Sequence, residues 1–256
     1  IGCILITITQ DGNYSGRLRG MYGYDKAFKG TVNPDYSASI SMGNAFGRES
    51  AMGFELIENA WGDYVISGHF QLLTENEPNH YFKLDSARYS KEAPVPSFQR
   101  GRYTMHMPSS ALNKAIIPAG DGFASGTLWS GGWFGFKGRS NSGAKFTYSN
   151  PLLHGDYVPL FTRPEGGLEV ITGNIWVRDF EMADLKGWLR YYRKPSKVGY
   201  YKDQFDEFLT LEGSRYRAPN LSELPLANYP LTDSNTVAKI NGGVFSLLSG
   251  GGAQKN

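Results

Sequence analysis

Short alternating segments separated by turn residues run along the whole chain, and this pattern restricts the fold more than any other feature. Residues 121–153, DGFASGTLWSGGWFGFKGRSNSGAKFTYSNPLL, alternate aromatic or aliphatic residues with small or polar ones, and glycines recur every few positions. Alternation with a period of two is typical of β-strands that bury one face. The sequence therefore predicts a chain built from β-strands.

Turn sequences such as DGN, NPD, ENEPN, SGG and NSG stand between the alternating segments. The best helix candidate, YKDQFDEFL at 201–209, is short and could equally lead into a strand. The pattern predicts an all-β fold of two related antiparallel units, barrel- or sandwich-like, without substantial helix. Predicted strands cover 3–9, 13–19, 26–32, 36–42, 52–58, 63–73, 80–88, 101–107, 123–129, 133–138, 144–149, 157–162, 168–177, 184–192 and 206–212.

Short similarities at an offset of about 119 residues indicate an internal repeat. DGNYSGRLRG aligns with GGWFGFKGRS so that Gly16 falls on Gly135. GDYVISGHF aligns with MADLKGWLR so that Gly68 falls on Gly187. A third similarity, GRYTM with GSRYRAP, follows in the same order. Three ordered similarities favour two diverged copies of one β unit.

The repeat predicts a first β unit over 1–100 and a second over 101–219. The proline-containing segment 89–99 divides them. The first unit shows no counterpart of the opening strand GRYTM, so its N-terminal strand is expected to be truncated or shared. Residues 220–256 are expected to form a loop and a terminal strand pair that pairs with a neighbour.

The order of motifs in the second unit carries a resemblance. Glycine–aromatic strands, a P-L-F strand, a G-W-L strand and a closing G-S-x-Y follow one another. This order resembles a glycine- and aromatic-rich β-repeat region, functionally uncharacterised, of large secreted and surface proteins of Verrucomicrobia-type bacteria. The resemblance implies an all-β fold and an extracellular or cell-surface location, and it brings no activity. Its motifs lie at Gly122–Phe123, Gly132–Gly138, Phe146–Ser149, Pro159–Phe161, Gly187–Leu189 and Gly213–Tyr216.

Charge and cysteine content exclude several classes of protein. The net charge is +2, from 26 basic and 24 acidic side chains, and no long basic block occurs. Nucleic acid is therefore not a predicted partner. Cys3 is the only cysteine, which excludes an intrachain disulfide and a multi-cysteine metal site. No window is apolar enough for a membrane-spanning helix.

Residues that could perform chemistry are scattered along the chain. The four histidines lack metal-ligand spacing, and no G-x-S-x-G nucleophile turn occurs. We predict no enzyme, catalytic residue, metal or cofactor, although oxygen-rich turns at 11–16 and 178–184 leave calcium as an alternative. Carboxylates near strands are interpreted as solvated, with a glycan hydrolase as the less favoured alternative. They are Glu55, Glu58, Glu169, Asp179, Glu181 and Asp184.

Aromatic residues are the strongest candidates for binding. Trp133 shares a strand face with Gly135, whereas Phe134 and Phe136 share the opposite face, so one set is expected in the core. The other set could stack on sugars or anchor a protein interface. The structural alternative is that all of them cover a thin β core. The candidates are Trp129, Trp133, Trp176, Trp188 and Tyr191.

These observations favour a non-catalytic extracellular structural or adhesive protein, a component of a surface, fibre or envelope layer. Exposed edge strands pair readily with other chains. We therefore predict assembly with itself or with neighbouring units by strand addition, and a carbohydrate-binding module as the alternative. The residues of the predicted assembly strands are Ile4, Ile6, Ile8, Val237, Ile240, Val244 and Phe245.

Overall fold

The computed structural model confirms the all-β prediction. It describes residues 2–20, 23–45, 47–59, 62–73, 78–109, 117–180, 183–197, 201–217, 236–241 and 244–249. Within these ranges every regular element is an antiparallel strand, apart from one short 3-10 turn at Glu165–Gly167. The chain divides into two compact units, Ile1–Tyr216 and Arg217–Asn256.

Two small sheets occupy the first part of the larger unit, and each is a simple antiparallel meander. The three-stranded sheet consists of β1 (Gly2–Ile8), β2 (Asn13–Gly20) and β3 (Asp25–Thr31). The four-stranded sheet consists of β4 (Ser37–Ala45), β5 (Arg48–Glu58), β6 (Tyr64–Leu72) and β7 (His80–Leu84).

One eight-stranded sheet occupies the second part of the same unit. Its strands are β8 (Gly101–Met107), β9 (Gly122–Leu128), β10 (Trp133–Arg139), β11 (Lys145–Pro151), β12 (Tyr157–Thr162), β13 (Glu169–Phe180), β14 (Ala183–Arg193) and β15 (Phe205–Arg215). They lie in the order β11-β10-β9-β8-β15-β14-β13-β12. Because the consecutive strands β11 and β12 stand at its two ends, the sheet curls into a nearly closed, barrel-like form. The helix candidate at 201–209 leads into β15.

The smaller unit contains one antiparallel hairpin among its described residues. Strand β16 (Thr236–Asn241) pairs with β17 (Val244–Ser249), with Ile240 opposite Phe245.

The same turns recur in the two parts of the larger unit. Seven backbone hydrogen bonds of the first part reappear 120 residues later, between the corresponding N–H and C=O groups. For example, the Gly12 N–H donates to Thr9 O as the Gly132 N–H donates to Trp129 O. Strands β1–β3 therefore correspond to β9–β11, and β4–β7 correspond to β12–β15. The donors of the seven bonds in the first part are Thr9, Gly12, Gly20, Gly23, Val32, Asn33 and Tyr36.

This register refines the alignment read from the sequence. An offset of 120 residues places Ser15, and not Gly16, on Gly135. The third similarity compares β8 with the end of β15. These two segments are hydrogen-bonded to each other, since the Tyr216 N–H donates to Arg102 O. They are therefore neighbours and not repeat counterparts. The boundary between residues 100 and 101 stays a prediction.

The correspondence between Gly68 and Gly187 agrees with the strand pairing. Gly68 lies opposite Phe54 on the neighbouring strand, and Gly187 lies opposite Ile175 in the same way. Strands β6 and β14 are therefore aligned with Gly68 and Gly187 at equivalent positions.

Two main hydrophobic clusters fill the larger unit. One lies inside the eight-stranded sheet and includes Phe134, Leu189 and Val95. Val95 belongs to the segment between β7 and β8, so this segment packs on the second repeat. The other cluster lies between the two small sheets and includes Tyr14 and Phe54, whose rings meet edge-on at 5.2 Å.

Tyr103 on β8 makes the barrel-like sheet sensitive to alkaline pH. It is 2% exposed, its hydroxyl donates to the Gln99 carbonyl oxygen, and burial raises its pKa from 10.0 to about 12. Because the unfolded chain ionises first, this contribution to stability is complete below pH 10.0 and is lost as the pH rises to about 12. Burial also raises the pKa of Tyr148, Tyr157 and Tyr191.

We expect Tyr103→Phe to flatten the loss of stability over this pH range, as measured by urea unfolding at successive pH values. The variant should be less stable than the parent at neutral pH, because it lacks the hydroxyl hydrogen bond. Tyr81→Phe, at an 80% exposed position, is the matched control and should follow the parent curve. Parallel curves for parent and Tyr103→Phe would show that Tyr103 does not titrate here.

Candidate assembly interface

Two strand edges in the first repeat differ from their counterparts in the second. Among the described strands, β1 pairs only with β2, and β7 pairs only with β6. Their counterparts β9 and β15 both pair with β8, which joins them into one sheet. The outer edges of β1 and β7 therefore present backbone groups that the second repeat uses for pairing.

Alternate residues of β1 direct their backbone N–H and C=O groups toward the outer edge of the strand. The Thr9 N–H donates to Asn13 O, so the odd-numbered residues of β1 face β2. The N–H and C=O groups of Ile4, Ile6 and Ile8 then point to the open side. Their side chains pack against the core cluster between the two small sheets and are partly buried. These three predicted assembly residues therefore present backbone groups for strand pairing, while their side chains belong to the core.

The core beneath these edges is less covered than in the second repeat. Ile8 and Phe82 are partly buried in their cluster. Their counterparts are Leu128, which is 1% exposed, and Leu211, which is 2% exposed. The second repeat contains β8 at this place, and the Tyr103, Met105 and Met107 side chains of β8 are all buried in its core.

The other predicted assembly residues lie on the hairpin of the smaller unit. Val237 and Ile240 are on β16, and Val244 and Phe245 are on β17. The two strands pair with each other and with no other described strand. A two-stranded hairpin alone is only marginally stable in water, so further pairing would stabilise it.

The tryptophan candidates are exposed, but they fall into two groups. Trp129 and Trp133 flank the turn between β9 and β10 and are 51% and 47% exposed. Trp188 on β14 is 66% exposed, and the half-buried Trp176 lies diagonally from it on β13. Strands β8 and β15 separate the two groups, so the structure does not bring them into one platform.

Tyr191 does not belong to an exposed surface. It is 0% exposed, and its ring packs edge-on against Phe205 with centroids 4.9 Å apart. Tyr191 is three positions from Trp188, and in a strand such residues point to opposite faces. This corrects its place among the interface candidates.

The faces of β10 are assigned by burial. Phe134 and Phe136 are in the core, and Trp133 is on the outer surface. The ring of Trp129 covers Gly135, since a β-carbon there would lie 2.6 Å from Trp129 Cη2.

Phe208, which the sequence patterns did not single out, is 69% exposed on the outer face of β15. It lies opposite Arg190, one diagonal step from Trp188. Phe208, Trp188 and Trp176 therefore cross three adjacent strands as an apolar row. The alternation of Phe208 with the buried Leu209 is the signal that could have identified it.

A buried ion pair corrects the interpretation of Glu169 as a solvated carboxylate. Glu169 and Arg193 are 0% and 2% exposed, and Arg193 Nη1 lies 2.6 Å from Glu169 Oε1. The same nitrogen lies 2.6 Å from Glu165 Oε2, and Ser140 Oγ donates to Glu169 Oε2 at 2.9 Å. This cluster ties the turn after β10 to the start of β13 and the end of β14.

The other carboxylates named in the sequence analysis have different surroundings. Glu55, Glu58 and Asp179 are exposed, and Asp184 accepts a hydrogen bond from the Arg215 N–H at 2.7 Å. Glu181 lies outside the described residues. Glu165 and Glu169 do meet, but both bind Arg193, and Glu169 is fully buried.

In the ranges that the structure describes, no group of three or more His, Cys, Asp or Glu side chains could hold a metal ion. None of the described residues forms a helix long and apolar enough to cross a membrane. Comparison with protein-family models, curated proteins and solved structures gives no match for this chain.

Proposed function

We propose that the protein is a non-catalytic structural or adhesive component outside the cell, which assembles with copies of itself or with neighbouring units by β-strand addition. The observation that carries the proposal is that no described strand pairs with the outer edges of β1 and β7, whereas β8 joins the corresponding edges of the second repeat. Free strand edges over an apolar core are templates for another chain.

Further support comes from the outer surface and from the hairpin. The apolar row of Phe208, Trp188 and Trp176 offers aromatic side chains, which are favoured anchors of protein interfaces. The β16–β17 hairpin supplies additional strand edges within the same chain. The extracellular location rests on the resemblance of the second-unit motifs to repeats of secreted bacterial proteins.

Assembly is preferred over sugar binding because it accounts for the edges of β1 and β7 that no described strand pairs with. Sugar binding is the alternative, since the apolar row of Phe208, Trp188 and Trp176 presents aromatic rings within reach of one ligand. Assembly is preferred over hydrolysis because Glu165 and Glu169, two carboxylates that meet among the described residues, are both held by Arg193.

Light scattering of the full chain over a range of concentrations tests the proposal. We expect concentration-dependent oligomers, and we expect removal of residues 218–256 to raise the concentration needed for assembly by roughly tenfold or more. The truncation lies at the division between the compact units, and circular dichroism of the shortened chain checks that β1–β15 stay folded. A chain that is monomeric at every concentration would contradict the proposal.

A further inference from the structure

Three cations lie together on the outer face of the strands β9, β10 and β11. Lys137 and Arg139 point outward from β10, and Lys145 on β11 lies directly opposite Arg139. The Ser140 N–H donates to Ala144 O, so the next pair, Arg139 and Lys145, is of the non-hydrogen-bonded kind, in which side chains are closest. Like charges directly opposite each other destabilise a sheet. An anion bound against this pair would relieve the repulsion.

The first repeat shows what cations at this place bind. Arg17 and Arg19 hold the corresponding positions on β2, 120 residues earlier. Directly opposite Arg19 lies Asp25, at the position that Lys145 takes in the second repeat. Arg17 Nε donates to Asp25 Oδ1, and Arg19 Nε lies 3.9 Å from Asp25 Oδ2. In the first repeat the two cations therefore bind a carboxylate of the chain itself.

The same cations of the second repeat bind no described carboxylate. Lys137, Arg139 and Lys145 are exposed, and none of them forms an ion pair with a described Asp or Glu side chain. Arg139 Nη1 donates to the Gly143 carbonyl oxygen at 2.7 Å, which holds the guanidinium at the turn between β10 and β11. Three positive charges are thus concentrated here in a chain whose net charge is +2.

Exposed tryptophans and hydroxyls adjoin the three cations. Trp129 and Trp133 are 51% and 47% exposed, and the Trp129 ring covers Gly135, the next outward residue of β10 before Lys137. Aromatic rings stack on the apolar faces of sugar rings, and nearby polar side chains bind the substituents of those rings. The exposed hydroxyl side chains on the strands either side of β10 are Ser125, Thr147 and Ser149.

We infer that the outer face of β9–β11 binds an acidic polysaccharide whose sugar rings carry carboxylates. A ligand carboxylate lies between Arg139 and Lys145, where the first repeat places Asp25. Sugar rings further along the polymer stack on Trp129 and Trp133. The inference adds a binding activity to the assembly proposed above and does not require it, because the site lies on strand faces and not on strand edges.

Two other anionic polymers fit the face less well. A nucleic acid is disfavoured because the chain has no long basic block and a net charge of only +2. An acidic protein segment offers carboxylates, but it has no sugar rings for the exposed tryptophans to stack on. A carboxylated polysaccharide uses the cations, the hydroxyls and the aromatic rings together.

Immobilised polygalacturonate is the probe, and surface plasmon resonance measures binding of the full chain. We expect saturable binding that weakens as the salt concentration rises, because exposed charges are screened. Dextran, a neutral sugar polymer, and polyglutamate, which has carboxylates but no sugar rings, should each bind at least about tenfold more weakly. Absence of saturable binding to polygalacturonate would overturn the inference. Equal binding of dextran, polyglutamate or single-stranded DNA would overturn it as well.

A substitution on β11 tests the role of the cations. Lys145→Asp gives the second repeat the carboxylate that the first repeat already has, so it should weaken binding of polygalacturonate by at least about tenfold. Urea unfolding should show no loss of stability, since opposite charges then face each other across the strands. Lys83→Asp, at an exposed position on β7, changes the net charge equally and should bind like the parent. If Lys145→Asp and Lys83→Asp bind alike, the cations of β10 and β11 are not the site.

Tryptophan variants test the stacking. Trp133→Ala should weaken binding of polygalacturonate about threefold or more. Trp188→Ala, at a 66% exposed position on β14, is the matched control and should bind like the parent. Weaker binding by Trp188→Ala alone would place the sugar on the apolar row and overturn the inference. A monomeric chain that binds polygalacturonate would refute self-assembly and keep this site; oligomers that do not bind the polymer would do the reverse.

Discussion

Replacing Glu169 by alanine should lower the free energy of unfolding by about 3 kcal/mol. The change leaves the Arg193 guanidinium, which is 2% exposed, without its buried partner, and it removes the carboxylate that accepts a hydrogen bond from Ser140 Oγ. Glu165 still binds Arg193, which keeps the cost at the lower end of the range for broken buried pairs. Urea unfolding followed by circular dichroism measures the effect.

Two further variants separate the buried pair from its exposed neighbour. Glu165→Ala removes a carboxylate that is 40% exposed and should cost less than about 1 kcal/mol. The double variant Glu169→Leu with Arg193→Met replaces the pair by apolar side chains and should recover much of the loss. If Glu169→Ala and Glu165→Ala cost the same, the buried pair does not stabilise this end of the sheet.

Much of the fold could be predicted because it depends on local patterns. Alternation gave the approximate positions of the fifteen strands between Gly2 and Arg215, and turn residues gave their separations. The faces of β10 followed from the same period of two, with Phe134 inside and Trp133 outside. Pairing order could not be predicted, because the place of β8 between β9 and β15 depends on contacts far apart in sequence.

The candidate site was harder to predict, since it depends on burial and on neighbouring strands. Tyr191 was grouped with Trp188 by residue type, although their spacing of three positions puts them on opposite faces. Local alternation does not predict the burial of Glu169, because its partner Arg193 lies opposite it on the next strand. That no described strand pairs with the outer edges of β1 and β7 becomes evident only when the two repeats are compared strand by strand.

Replacing Gly126 by valine should destabilise the barrel-like sheet by about 2–3 kcal/mol. A β-carbon at Gly126 would lie 2.7 Å from Phe136 Cβ and 2.8 Å from Gly135 O. Neither atom is the flexible end of a side chain, and Phe136 is enclosed in the core. The glycine therefore makes room for the aromatic rings, which explains why the two residue types alternate along β9 and β10.

Gly135→Val is the matched control, since it places the same side chain on the next strand but on the outer face. Its β-carbon would meet the far end of the exposed Trp129 ring, which can move into solvent. We expect a loss below about 1 kcal/mol, because valine also favours a strand. The urea midpoints of the two variants measure their losses of stability. If the two variants lose the same free energy of unfolding, the packing of aromatic rings against Gly126 is not the reason why glycines and aromatic residues alternate. The glycines would then matter through the backbone conformation of the strands.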